Sequence, residues 1–144
     1  MNLEDKIIVA LLGLLAVFYL ASGIALYFHP MQTFDSLPSY YGEFNHHFVK
    51  DAGLAFTSSA ILLFLAVFKR RERLIYSFSA SLFVVLHGLF HVQMLLSGMV
   101  PKAYLGDELV QVIAPAMLLL GLVVVTYARQ RLRDEPEQRG GDRR

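Results

Sequence analysis

Two pairs of ionisable residues in this sequence are each separated by four positions, a spacing that suits metal binding. The pairs are His47 with Asp51, and His87 with His91. Residues four positions apart lie on one face of an α-helix, and two histidines so spaced can ligate one ion. On neighbouring helices the pairs would supply a histidine-rich set with one carboxylate, which zinc, iron and copper accept. The sequence therefore predicts a transition-metal site formed by His47, Asp51, His87 and His91.

Further polar residues are expected to orient these ligands. Asp51 is predicted to be either a ligand itself or the group that orients a histidine through its second ring nitrogen. Asp107 and Gln111 repeat the four-residue spacing, and we expect them to hydrogen-bond the ligands. An open coordination position would let the ion activate water or dioxygen. This chemistry indicates a membrane oxidoreductase or hydrolase acting on a lipid-soluble substrate such as a quinone, although enzymatic activity is left open.

Other interpretations of the same residues remain open. His47 and His87, at similar depth on neighbouring helices, are candidate axial ligands of a haem. A non-enzymatic role is a second alternative, either as a carrier of a metal ion or small solute or as an assembly subunit. A third is a structural polar network, since ionisable groups within a membrane usually face a partner. The sequence contains no cysteine, which removes thiolate ligands and thiol catalysis.

Four apolar blocks provide the helices that would position these residues. The chain has 144 residues, 56% of them hydrophobic, and the blocks span about 7–28, 48–68, 74–96 and 109–128. A block of about 20 apolar residues crosses a bilayer as a helix. The first block is too long for a signal-peptide core, and acidic residues precede it. The sequence therefore predicts an all-α membrane four-helix bundle over residues 1–128 and a flexible cytoplasmic tail over residues 129–144.

The distribution of lysine and arginine predicts the orientation of the bundle. The first link, 29–47, has no lysine or arginine, whereas the tail is rich in arginine and the link between the second and third blocks carries Lys69, Arg70, Arg71 and Arg73. Cytoplasmic loops are enriched in lysine and arginine, so both termini are expected in the cytoplasm. All five histidines then fall in the outward half of the bundle.

Several other residues have predicted roles outside the metal site. Three tyrosines are expected to anchor the chain at the membrane interface, namely Tyr40, Tyr41 and Tyr104. Asp107 and Glu108 suit the N-terminus of the fourth helix, and Pro115 is expected to kink that helix. The first link could fold over the polar cluster as a lid. We expect the bilayer, a small lipid-soluble substrate and a second copy of the chain as partners, and no nucleic acid.

The segment Phe44–Gly53 resembles a motif of small bacterial four-span membrane proteins, approximately Phe-Asn-x-His-Phe-Val-x-Asp-x-Gly. The run Tyr19–Gly23, the pair of histidines beginning at His87, and Asp107 with Pro115 are similar to the same pattern. These proteins have no assigned activity and resemble the DoxX-like group in layout. The resemblance implies a four-span fold in the bacterial inner membrane and draws attention to the histidines and acids named above, without implying a reaction.

Overall fold

The computed structural model describes the backbone of residues 2–141 and the side chains of residues 2–132, and this part of the chain is helical without strands. The long helices are α1 (Leu3–Phe28), α3 (His46–Phe68), α4 (Arg73–Leu96) and α6 (Ala114–Gly141). The short elements are α2 (Pro30–Asp35), α5 (Leu105–Asp107), 3₁₀ turns at Ser39–Tyr41 and Lys102–Tyr104, and a π-helix at Glu108–Ile113.

The four helical spans are long and apolar enough to cross a membrane, with the fourth running from Lys102 to Leu132. Large apolar side chains cover the outside of the bundle, among them Val110, Ile75 and Leu86. An outer surface of this kind suits lipid, because a water-soluble protein rarely exposes large continuous apolar patches. The predicted all-α membrane four-helix bundle is confirmed.

The helix boundaries follow from local chemistry. The Asn2 side chain caps α1 by accepting the Asp5 N–H at 2.9 Å, and the Asn45 side chain caps α3 by accepting the Phe48 N–H at 3.0 Å. Helix α1 ends just before Pro30, because the residue preceding a proline is disfavoured in helical conformation. The first three spans predicted from sequence therefore match the observed helices to within four residues, whereas the fourth extends beyond both of its predicted bounds.

Helix α1 packs on α3, α3 on α4, and α4 on α6, while α1 also touches α6 and closes the bundle. Leu12, Leu63 and Leu119 are fully buried in the shared core. Helices α1 and α3 cross closely at Gly23 and Gly53, since a Cβ atom on Gly23 would lie 2.7 Å from the Gly53 carbonyl oxygen. Small residues permit such backbone approach between membrane helices.

The fourth span begins with a π-helical turn. This turn covers Glu108–Ile113 and ends just before Pro115, and the Ala114 N–H bonds to the Leu109 carbonyl five residues back. Proline has no N–H to donate, so a regular α-helical bond is already missing here. The sequence predicted a kink at Pro115; what the structure describes is one widened turn that precedes the proline.

The two ends of the bundle differ in chemistry. One end, here called the basic end, holds the start of α1, the α3–α4 link and Arg129 of α6, joined by Asp5. The other, here called the histidine end, holds the first link, the end of α4 and the π-helix, joined by Glu108. Helix α6 continues through the predicted tail as far as Gly141. The mobility of that tail stays a prediction, and residues 142–144 lie outside the described residues.

Candidate functional site

A buried carboxylate, Glu108, is the centre of the polar cluster at the histidine end. Its Oε1 atom accepts hydrogen bonds from the hydroxyl groups of Tyr40 and Tyr41. Its Oε2 atom lies 2.5 Å from Nδ1 of His91. The Glu108 side chain is 1% exposed and that of His91 is 5% exposed. Buried charges persist only when they are paired and hydrogen-bonded, and each carboxylate oxygen of Glu108 has such a partner.

The first link brings the two tyrosines over the end of the bundle. Tyr40 and Tyr41 lie in the 3₁₀ turn Ser39–Tyr41, and the Tyr41 N–H bonds to the Pro38 carbonyl at 3.1 Å. Gly42 follows with a φ of +94°, a backbone conformation that favours glycine. The sequence suggested that this link folds over the predicted cluster of His47, Asp51, His87 and His91, whereas in the structure its two tyrosine hydroxyl groups contact Glu108.

The hydrogen-bonding partners of Glu108 indicate which of its two oxygen atoms would carry a proton. Because Oε1 of Glu108 accepts two hydroxyl groups, the carboxyl proton, when present, belongs on Oε2. Oε2 and Nδ1 of His91 therefore share one proton across their 2.5 Å contact. The other ring nitrogen of His91, Nε2, takes no part in that contact. The chemical forms of the pair that keep the contact therefore have a net charge of −1 or 0 and differ by one proton on Nε2.

His87 and aromatic side chains surround His91 on the bundle side. The His87 and His91 ring centroids are 4.6 Å apart, one helical turn along α4. The His87 ring stacks on Phe83 at 5.5 Å and meets the edge of Phe56 at 5.5 Å. On the link side, the Tyr41 ring centroid is 5.7 Å from that of His91. These histidine, tyrosine and phenylalanine rings therefore form a continuous aromatic layer.

His47 and Asp51 form a separate pair on the outside of α3. Nδ1 of His47 lies 2.8 Å from Asp51, and the two side chains are 87% and 59% exposed. The buried face of α3 uses Val49 and Gly53 instead, so His47 and Asp51 point away from the core. The structure thus does not bring His47 and Asp51 together with His87 and His91. Among the described residues, no three histidine, aspartate or glutamate side chains form a group that could hold a metal ion.

The acid at the site is Glu108, not the predicted Asp107. Asp107 and Gln111 are exposed and contact each other at 3.5 Å. Glu108 and Ile113, at the two ends of the π-helical turn, are both buried. Of the two adjacent acids, it is therefore Glu108 that faces into the bundle.

Tyr40 and Tyr41 were predicted to anchor at the membrane interface, and their role at Glu108 was missed. Burial and the hydrogen bond to the Glu108 carboxylate raise the pKa of Tyr40 to about 12. The same causes raise the pKa of Tyr41 further above its ordinary value. Both hydroxyl groups therefore remain protonated near neutral pH and available to donate. Tyr104, whose ring centroid is 5.4 Å from that of Tyr40, packs against the turn.

Protein-family models, curated proteins and solved structures yielded no match to this chain. Its function is therefore inferred from the contacts of Glu108, His91 and the two tyrosines.

Proposed function

We propose that this protein transfers protons at a membrane-embedded acid–base site formed by Glu108 and His91. The observation that carries the proposal is the buried 2.5 Å contact between the Glu108 carboxylate and Nδ1 of His91. This pair can hold or release one proton without losing its internal hydrogen bond. Tyr40 and Tyr41 hold the carboxylate in place through its other oxygen.

A purely structural role for Glu108 and His91 would carry a high desolvation cost in this buried position. Removing a carboxylate and an imidazole from water costs several kcal/mol per charged group, and well-packed apolar residues of similar volume are often equally stabilising. Ionisable residues inside membrane bundles therefore commonly mark proton or substrate pathways. Glu108 and His91 are both more than nine-tenths buried in a span, which favours a functional role.

The proposed substrate is a small lipid-soluble molecule with a flat ring and exchangeable protons, such as a quinone. The aromatic layer formed by Phe56, Phe83 and Tyr41 around the two histidines suits a flat ring. Reduction of a quinone consumes protons together with electrons. In this proposal the Glu108–His91 pair exchanges the protons, and a separate reductant supplies the electrons.

We also propose an orientation and a location. The basic end, with Lys69, Arg70 and Arg71, faces the cytoplasm, because cytoplasmic loops are enriched in these residues. The histidine end then faces outward, and the site exchanges protons with the outer aqueous phase when the first link opens. The proposed membrane is the bacterial inner membrane, in keeping with the resemblance to small four-span proteins of DoxX-like layout.

Proton binding by Glu108 is tested by infrared titration of the purified protein in lipid. The wild type should show carboxyl and imidazole bands that change with pH, and Glu108→Gln should lose the carboxyl change. Asp107→Asn is the matched control, because it removes an adjacent but exposed acid. A titration of Glu108→Gln identical to that of the wild type would sink the proposal.

The substrate class is tested separately with a short-chain quinone. Its binding to the wild type in weakly buffered solution should change the proton occupancy of the protein, which a pH-sensitive dye reports. His91→Phe should abolish that proton exchange, whereas His47→Phe should preserve it. If the quinone fails to bind while the infrared titration still shows the Glu108 signal, the proton site stands and the quinone is the wrong substrate.

A further inference from the structure

The basic end contains a second polar site that proton transfer does not use. A cavity of about 410 Å³ lies among α1, the α3–α4 link, α4 and α6. Four arginines line it, namely Arg70, Arg71, Arg73 and Arg129, together with Asp5 and Thr126. Arginine is the preferred side chain for binding phosphate, because its planar guanidinium donates two parallel hydrogen bonds.

The arginines outnumber the carboxylates that the described residues offer them. Asp5 lies 3.2 Å from Arg70 and 3.4 Å from Arg129, and Glu4 lies 3.0 Å from Arg129. Arg73 donates its Nε–H to the carbonyl of Ala66 at 3.1 Å. The described lining of the cavity thus contains four guanidinium groups and one carboxylate, that of Asp5.

Two buried polar atoms beside the cavity also have no hydrogen-bond partner among the described residues. They are Nη1 of Arg129 and Oγ1 of Thr126. Nη1 is within ion-pair distance of Asp5, at 3.4 Å, but does not form a hydrogen bond with it. A buried polar group without a partner is costly, and the oxygen atoms of a phosphate group are suitable acceptors for both.

An apolar groove continues from the arginine cavity along the outside of the bundle. The groove, of about 530 Å³, runs between α4 and α6 and is lined by residues such as Phe78, Leu120 and Val124. Leu74 lines both the groove and the arginine cavity. A molecule with an anionic head and a hydrocarbon chain would therefore fill the two spaces together, whereas a free phosphate ion would use only one.

We infer that the basic end binds one anionic phospholipid, with its phosphate among Arg70, Arg71 and Arg129 and an acyl chain in the α4–α6 groove. Basic pockets between membrane helices on the cytoplasmic side bind acidic lipid head groups by the same chemistry. The inference does not depend on the proposed proton transfer, because the two sites lie at opposite ends of the bundle.

The purified wild type in neutral detergent provides the first test, by native mass spectrometry with phosphatidylglycerol and with phosphatidylcholine. We expect one phosphatidylglycerol to be retained at least tenfold more tightly than phosphatidylcholine. Inorganic phosphate should compete weakly, because it does not occupy the groove. Equal retention of both lipids would overturn the inference. Full displacement by millimolar phosphate would also overturn it, since the cavity would then be a site for the free ion.

Variants separate the cavity from the groove. Arg71→Gln should weaken phosphatidylglycerol binding about fivefold, the expected effect of one cationic side chain near a lipid surface. Lys102→Gln removes a cation from the histidine end and should leave binding unchanged. Val124→Trp should fill the groove and weaken the binding of lipids with long acyl chains, but not of short-chain ones. Unchanged binding in both Arg71→Gln and Val124→Trp would contradict the proposed site.

Discussion

The two tyrosine hydroxyl groups on Glu108 should hold the first link closed, and their removal should open it. Tyr40 and Tyr41 both donate to the same carboxylate oxygen. A hydrogen bond to a charged group contributes about 1.5–3 kcal/mol, which corresponds to a change of about 10-fold to 150-fold in an opening equilibrium. In Tyr40→Phe or Tyr41→Phe one donor remains on Oε1, so each single change should fall near the lower limit.

The double variant should cost more than the sum of the single changes, because it leaves a buried carboxylate oxygen without a donor. Hydrogen–deuterium exchange at the backbone amide of residue 41 measures the opening, since this amide donates to the Pro38 carbonyl at 3.1 Å. Tyr104→Phe is the control, because the structure describes ring contact but no Glu108 hydrogen bond for it. Unchanged exchange in the double variant would refute the role of these hydroxyl groups.

Three further predictions concern pH and helix packing. With its pKa raised from 10.0 to about 12, Tyr40 should stabilise the closed link fully below pH 10 and lose that effect as pH rises through 12. A tyrosinate absorbance that begins at pH 10 in the wild type and is missing from Tyr40→Phe would contradict this. Gly53→Ala places a Cβ atom 2.9 Å from a backbone oxygen of α1 and should lower the free energy of unfolding by about 1–3 kcal/mol, as measured by thermal unfolding. Gly121→Ala is the control, because it has open space around it and should leave stability unchanged. Equal effects of the two substitutions would contradict the close crossing at Gly53. Pro115→Ala should allow the π-helical turn to become a regular α-helix, which would rotate the Glu108 side chain by about 100° around the helix axis. The infrared titration signal of Glu108 should then decrease. An unaltered signal would show that the proline does not maintain the π-helix.

The sequence predicted the bundle well because the membrane imposes strong constraints on length and polarity. Apolar blocks ended by Pro30 and by the basic run at residues 69–73 identified the helices directly. The spacing of His87 and His91 correctly placed both rings on one face of α4. These features depend on local chain geometry, which a single sequence contains.

The rest of the site depends on geometry that spacing alone does not reveal. Spacing paired Asp107 with Gln111, but that pair is exposed, and the buried acid at the site is Glu108. The pair His47 and Asp51 does share a helix face, but that face is outward, because Gly53 is needed for the crossing with α1. Tyr40 and Tyr41 reach the site through the tertiary path of a loop, which periodicity does not predict.

The most direct test of proton transfer at Glu108 and His91 is nitrogen NMR of histidine-labelled protein in lipid, recorded across pH. His91→Asn identifies the His91 signals, and the exposed His47 provides an internal reference. We predict that Nδ1 of His91 keeps a strongly hydrogen-bonded proton throughout, while Nε2 gains and loses its own, and that Glu108→Gln abolishes this asymmetry. A His91 signal that titrates like that of His47, and is unaffected by Glu108→Gln, would contradict an acid–base pair at this site.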